Sequence, residues 1–204
     1  AALRKAHPKL REGDAFLDND PYVGNSHAAD HTILVPVFIA GVHVFTAVAK
    51  AHQADIGNSV PATYHAAAKD VYEEGALIFP TVQVQRDYEN IDDIIRMCES
   101  RIRVPAQWYG DFLAMLGSAR IAERRLKELG DKYGLETIKD FIQNWLDYSE
   151  QRMTKAIERL PETTLRNQGR HDAFHPYLPD GHPFNVEPQI KPTEGRIFVD
   201  LMDN

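Results

Sequence analysis

This 204-residue sequence predicts an α+β fold: a sheet centred on an antiparallel β-hairpin, with a long antiparallel helical hairpin beside it. Three observations carry that expectation. Two β-branched, apolar runs, TILVPVF (32–38) and VHVFTAVAKA (42–51), are joined by the short IAG. The stretch 91–160 repeats apolar residues at helical spacing and is interrupted by GDKYG. A content of 43% apolar and 26% charged residues is ordinary for a globular chain able to bury a sizeable core.

Each element follows from local chemistry. AALRKAHPKL opens the chain inside a helical pattern. Glycine in IAG supplies the turn of the β-hairpin. Pro36 cannot donate to a ladder, so it demands an edge strand, a bulge or an outward-facing position. PATYHAAAKDVYEEGALI (61–78) reads as a loop passing into a short helix or strand. NIDDIIRMCESRIR opens on an Asn or Asp cap and repeats Ile91, Ile94, Ile95, Cys98 and Ile102 at helical spacing. A second helix starts at Pro105 and ends at Gly130 or Gly134, and a third runs from 135 to Pro161. With GDKYG between them, an antiparallel helical hairpin is the simplest packing. Beyond Pro161, GRHDAFHPYLPDGHPF reads as a Pro-, Gly- and His-rich loop and GRIFVDL as a returning strand. The expected organisation is a β-rich region at 1–90, the helical hairpin at 91–160 and the loop with its strand at 161–204. Because the chain opens inside a helix and stops just after a strand, these are expected to be parts of one larger subunit.

Composition excludes several roles. The formal charge is −7, with Lys and Arg interleaved among Asp and Glu, so nucleic acid is not an expected partner. No apolar run approaches the ~20 residues of a membrane helix. A single cysteine, Cys98, excludes an intrachain disulfide, and no leader pattern opens the chain, so a cytoplasmic location is expected.

The residues NDPYVGNSHAADH (19–31), just before the first strand, hold the chemistry. In a hairpin turning about residue 40, paired positions sum to about 80. Residue 27 then lies near 53 and residue 30 near 50, which brings His27 and Asp30 beside His52. Two imidazoles and one carboxylate at a strand end form a ligand set for Zn, Mn or non-haem Fe, with positions left open for water and substrate. The plain alternative is that both histidines are loop residues that cap backbone groups. His31, His43 and His65 have no partner that the sequence can place, and His43 falls at the turn end, on the surface. His171, His175 and His182 lie in the Pro-rich loop, where no rigid element would hold a second metal.

GDAFLDNDPYVGNSHAADHTILVPVF followed by AKAHQADIG resembles the B-type subunit of the hydantoinase/oxoprolinase family, which also contains acetone and acetophenone carboxylases. VYEEGALIFP and RIRVPAQWYGDFLA are similar to two further segments of that family. Two departures stand out: GN (Gly24, Asn25) replaces a glycine pair, and DIGN (Asp55, Gly57, Asn58) replaces Asp-x-Gly-Gly. The resemblance implies that His27, Asp30 and His52 bind a divalent metal (Zn, Mn or Fe). It also implies a fourth, carboxylate ligand, for which Asp14 and Asp20 are the local candidates; Asn-Asp-Pro equally suits a turn in which Asp20 bonds nearby backbone. Glu73 or Glu74 would act as general base if it folds back on the metal, and otherwise lies on a helix surface.

In the family's chemistry an A-type subunit, which binds ATP and Mg, activates a cyclic amide or ketone, and the B-type subunit completes the reaction. The metal would polarise a carbonyl or supply a hydroxide. No Gly-x-x-x-x-Gly-Lys occurs in this sequence, so nucleotide binding falls to the partner. AHQADIG favours cyclic-amide hydrolysis over ketone carboxylation, and a non-catalytic assembly fragment is the further alternative. Trp108, Tyr109, Trp145 and Tyr148 on the helical hairpin are expected either to anchor the partner or to fill the core.

Overall fold

The computed structural model of the protein describes residues 2–173 and 178–201. The chain divides into two compact units, residues 1–134 and 135–204.

The first unit contains α1 (Ala2–Ala6), β1 (Ala15–Asp18), β2 (Asp30–Ile39), β3 (Val42–His52), α2 (Val71–Glu74), β4 (Val82–Arg86), β5 (Glu89–Asn90), α3 (Asp92–Arg101) and α4 (Pro105–Tyr133). Its five strands form an antiparallel sheet in the order β3-β2-β1-β4-β5. The predicted hairpin is β2–β3, closed by Ala40 and Gly41 at φ 51° and 76°. Two successive positive φ values make the tight turn whose twist matches that of the strands. The register is two residues from the expected one: Asp30 lies directly opposite His52, and a bulge follows at Val37/Phe38. Pro36 is tolerated because β1 pairs with β2 only from Thr32 to Leu34, leaving β3 as the sole neighbour at Pro36.

One face of this sheet carries the core. Leu17, Ile33, Val35, Val37 and Val84 pack against Trp108, Phe112, Met115, Leu116 and Ala119, which α4 presents at helical spacing, and against Ile95 and Cys98 of α3. Burial pushes the Cys98 thiol up to about 12.

Several expectations are corrected. The β4–β5 hairpin was not legible, because its turn residues, Asp87 and Tyr88, are non-glycine at φ 51° and 67°. Tertiary contacts hold that turn: Tyr88 N–H donates to the Gly13 carbonyl at 3.0 Å, and the Arg120 guanidinium lies 4.6 Å from the Tyr88 ring centroid. Within 61–78 the chain is loop apart from the single turn of α2. The expected segment 91–160 is divided between the two units. Four residues of GDKYG are consumed by α4, only its last, Gly134, separates α4 from the next helix, and the unit boundary falls there, inside the segment 91–160. The buried face of α4 is given to β2, β3 and α3.

The second unit holds α5 (Leu135–Ile157), β6 (Thr163–Thr164), β7 (Asn167–His171), β8 (His182–Lys191) and β9 (Arg196–Asp200). GRIFVDL forms β9 as expected, and sheet also takes both ends of the predicted loop: β8 pairs with β6, β7 and β9, all antiparallel. Pro188 sits inside β8 as an acceptor only, its carbonyl bonded by Leu165 N–H at 2.9 Å. Of the His171, His175 and His182 group, His175 lies outside the described residues, while His171 and His182 face each other across β7 and β8.

Trp108 is buried and Tyr109 packs on the core, whereas Trp145 and Tyr148 on α5 are exposed, at 60% and 49%. Among the described residues, no helix is long and apolar enough to cross a membrane.

Candidate metal centre

The loop 19–29 between β1 and β2 is stapled from within. Asn19 is fully buried; its amide donates to the carbonyls of Ala28 (2.7 Å) and Leu77 (2.8 Å) and its oxygen accepts Phe79 N–H at 2.6 Å. Asp20 accepts Tyr22 N–H at 2.9 Å, so its side chain makes the turn. Asn25, where a glycine was expected, accepts Ser26 N–H at 3.0 Å and donates to the Asp30 carbonyl, closing the loop with its side chain. This scaffolding delivers His27 to the start of β2.

There the three predicted ligands meet. Asp30 Oδ1 lies 3.0 Å from His27 Nε2 and 3.1 Å from His52 Nδ1, and the two imidazole centroids are 5.0 Å apart. One ligand atom from each residue falls within 4.8 Å of the others. Two donors at ~2.1 Å from one ion in tetrahedral geometry stand roughly 3.4 Å apart, so these spacings suit a shared coordination sphere. The cluster stays open to solvent, with His27 and His52 side chains 42% and 47% exposed. Burial pushes the Asp30 carboxyl up, but contacts from Lys50, His52 and His27 outweigh it and hold it below the usual carboxylate value.

The other sequence candidates stand elsewhere. Asp14 is buried and accepts Arg11 N–H at 2.9 Å and the Gln83 amide at 2.8 Å. Glu73 and Glu74 accept backbone N–H groups of Lys69 and His65 at 3.1 and 3.2 Å, tying down their own loop. Among the described residues, the metal-type cluster consists of His27, Asp30 and His52, without Asp14, Asp20, Glu73 or Glu74.

Two neighbours escaped the sequence reading. Lys50 Nζ is 3.2 Å from Asp30 Oδ2 and donates to Ser26 Oγ at 3.0 Å. Tyr64 meets the His27 ring edge-on at 6.4 Å. The signal for Lys50 was its position two residues before His52, which puts both on one face of β3. His31 faces the opposite way: it is fully buried against Phe79, neither ring nitrogen has a hydrogen-bond partner, and burial pushes its pKa down to about 4. His43 is half-buried at the turn end, its Nδ1 3.4 Å from Arg4.

Beyond His52 the chain is clamped by the last residue of α3, Arg101, and by Arg103 just after it. Asp55 accepts Arg103 at 3.0 Å and Gly57 N–H at 2.8 Å, so in DIGN the aspartate shapes the loop. Gly57 adopts φ +76°, and a Cβ there would lie 2.9 Å from Arg101 Cγ.

Fold and site together define an α+β protein that presents a two-histidine, one-carboxylate centre at the open end of a β-hairpin. The hydantoinase B/oxoprolinase family profile matches residues 1–204, and the chain belongs to that family. The β-subunit of caprolactamase from Pseudomonas jessenii is 34% identical over 154 residues, which cover 76% of this chain and 26% of that protein. The crystal structure of the ATP-dependent caprolactamase from the same organism superposes with a TM-score of 0.86 at 28% identity, over 97% of this chain and 34% of the other. A nucleotide-free acetone carboxylase structure gives a TM-score of 0.82 at 18% identity, over 97% and 27% respectively, a likeness of fold alone. The chain thus spans about a quarter of the curated relative's length.

Proposed function

We propose that this chain is the metal-bearing part of the B-type subunit of an ATP-coupled cyclic amide hydrolase. The observation that carries this reading is the convergence of His27, Asp30 and His52 at a strand end, with one ligand atom from each within 4.8 Å of the others. A divalent cation (Zn, Mn or Fe) held there would supply Lewis acidity to a carbonyl oxygen. His27, Asp30 and His52 offer the donors; β2 and β3 keep Asp30 and His52 in place, and the stapled 19–29 loop holds His27. The same sheet face runs on from Asp30 and His52 through Thr32, Leu34 and Val48. It continues into a groove of about 440 Å³ that Val23, Gly24 and Asn25 help to wall. That groove would receive the body of a small amide substrate.

The reaction draws on ATP and Mg bound by an A-type partner, since no phosphate-cradling motif occurs in this sequence. Two relatives are in keeping with that division: one is the β-subunit of caprolactamase, and the other an ATP-dependent caprolactamase. Exposed Trp145 and Tyr148 are the anchors open to that partner or to the rest of the subunit. Ketone carboxylation is the second reading, favoured by the acetone carboxylase fold and disfavoured by its lower identity.

Metal content decides first. The chain, exposed to Zn, Mn and Fe(II) and then desalted, is expected to retain one equivalent of one of them, measured by elemental mass spectrometry. No retention would leave the assembly-fragment reading. Coexpression with the ATP-binding subunit, followed by lactam and ketone assays with ATP, then separates hydrolysis from carboxylation.

A further inference from the structure

The two oxygens of Asp30 are divided between different partners. Oδ1 faces both imidazoles, while Oδ2 lies 3.2 Å from Lys50 Nζ and accepts the Ser26 hydroxyl at 3.3 Å. Lys50 in turn donates to Ser26 Oγ at 3.0 Å, closing a triangle of ammonium, hydroxyl and carboxylate oxygen. Lys50 is placed for this by the sheet: it sits opposite Thr32, on the same face as His52, one pleat repeat away. We infer that Lys50, with Ser26, is a positioning residue that makes Asp30 a one-oxygen ligand and keeps the remaining coordination positions free for water and substrate.

The reason is geometric. To bind a cation through both oxygens, Asp30 must rotate Oδ2 toward the imidazoles, and that rotation breaks both contacts of Oδ2 at once. With Oδ2 already paired with an ammonium and a hydroxyl while Oδ1 faces the imidazoles, the one-oxygen arrangement is set before the cation arrives. Groups behind a ligand commonly set its orientation and change metal affinity by about ten- to a hundredfold. The inference rests on the metal-site reading above, and its test reports on the two separately.

Coulomb's law alone predicts the opposite of positioning. An ammonium beside the site repels a dication, so removing it should tighten binding. Positioning predicts looser binding and a changed ligand field. Cobalt(II) serves as the probe, because its visible absorption per ion falls as its coordination number rises. Wild type should bind one cobalt with the spectrum of a low-coordinate site. Lys50→Met should weaken cobalt binding about tenfold or more and lower the absorption per cobalt as Asp30 turns two-oxygen. Lys50→Arg should restore both, and Ser26→Ala should move both the same way by less.

Helical circular dichroism should be unchanged in every variant; if Lys50→Met does not fold, Ser26→Ala and Lys50→Arg carry the comparison. Unchanged or tightened binding with a wild-type spectrum in Lys50→Met and Ser26→Ala overturns the positioning role while leaving the metal site intact. A wild type that binds no cobalt overturns both.

Discussion

The cluster around Asp30 and the cluster around Glu123 are built from the same kinds of group and end in opposite states. Glu123 is 3% exposed, and all its acceptors are used: Arg120 at 2.9 Å on one oxygen, Lys127 at 2.9 Å and the Tyr88 hydroxyl at 3.4 Å on the other. Arg120 is spent as well, on the carbonyls of Gly13 (2.7 Å) and Asp14 (3.1 Å) and on Gln85 (2.8 Å). At Asp30 two imidazoles crowd one carboxylate oxygen and the side chains stay open to water. A saturated network ties α4 to the sheet and has nothing left for a ligand. Two imidazoles meeting one carboxylate oxygen at a solvent-open strand end offer donors to a cation that the closed cluster does not.

The contrast breaks most readily on metal affinity. His52→Ala should weaken metal binding by more than about a hundredfold, beyond the range seen for groups behind a ligand. Glu123→Gln and His43→Ala should leave it unchanged. Calorimetric titration measures all three, and an equal loss in Glu123→Gln would erase the distinction.

Stability should run the other way. Glu123→Ala removes one acceptor each from Arg120 and Lys127 in a buried site, at a cost of about 1–3 kcal/mol in urea unfolding. Asp30→Ala in the metal-free chain should cost under about 1 kcal/mol, as for other partly exposed pairs. Comparable losses at the two positions would mean that the Asp30 cluster is structural.

Metal at a hundred times its dissociation constant should stabilise wild type by about 2.7 kcal/mol and His52→Ala by less than about 0.4 kcal/mol. Thermal unfolding with and without the ion reads that difference directly. Stabilisation that persists in His52→Ala would place the ion elsewhere.

The smallest effect is acid sensitivity at the closed cluster. The Lys127 ammonium beside Glu12 holds its carboxyl below the usual 4.5. A carboxyl lowered in the folded state stabilises above its unfolded value, and that contribution fades as pH falls through the folded one. Because Glu12 is half-exposed, the change is under about 0.5 kcal/mol. Glu12→Gln should flatten the acid limb of the unfolding curve below pH 4.5 by that amount; a steeper limb would contradict the sign.

Sequence alone determined what depends on periodicity and turn chemistry. Alternating β-branched residues around a short glycine-bearing turn specify the β2–β3 hairpin. A two-stranded antiparallel pair can bring 27–30 to 52 whatever surrounds it, and a two-residue error in register did not disturb that meeting. The spans of α3 and α4 were legible for the same reason, since helical spacing is local.

What tertiary structure decided involves groups far apart in the chain. The Asp87–Tyr88 turn exists because Gly13 and Arg120 hold it, which no local pattern announces. Asp14 looked like a ligand and proved to be a staple, because it holds the amide of Gln83 on a strand 69 residues away, and Asn19 went unnoticed because the Phe79 N–H that it holds is 60 residues away. Whether a carboxylate serves a cation or its own backbone depends on which donors reach it first, and those donors are placed by packing. For that reason the sequence pointed to His27, Asp30 and His52 but could not separate them from Asp20, Glu73 and Glu74, which local N–H groups had already claimed.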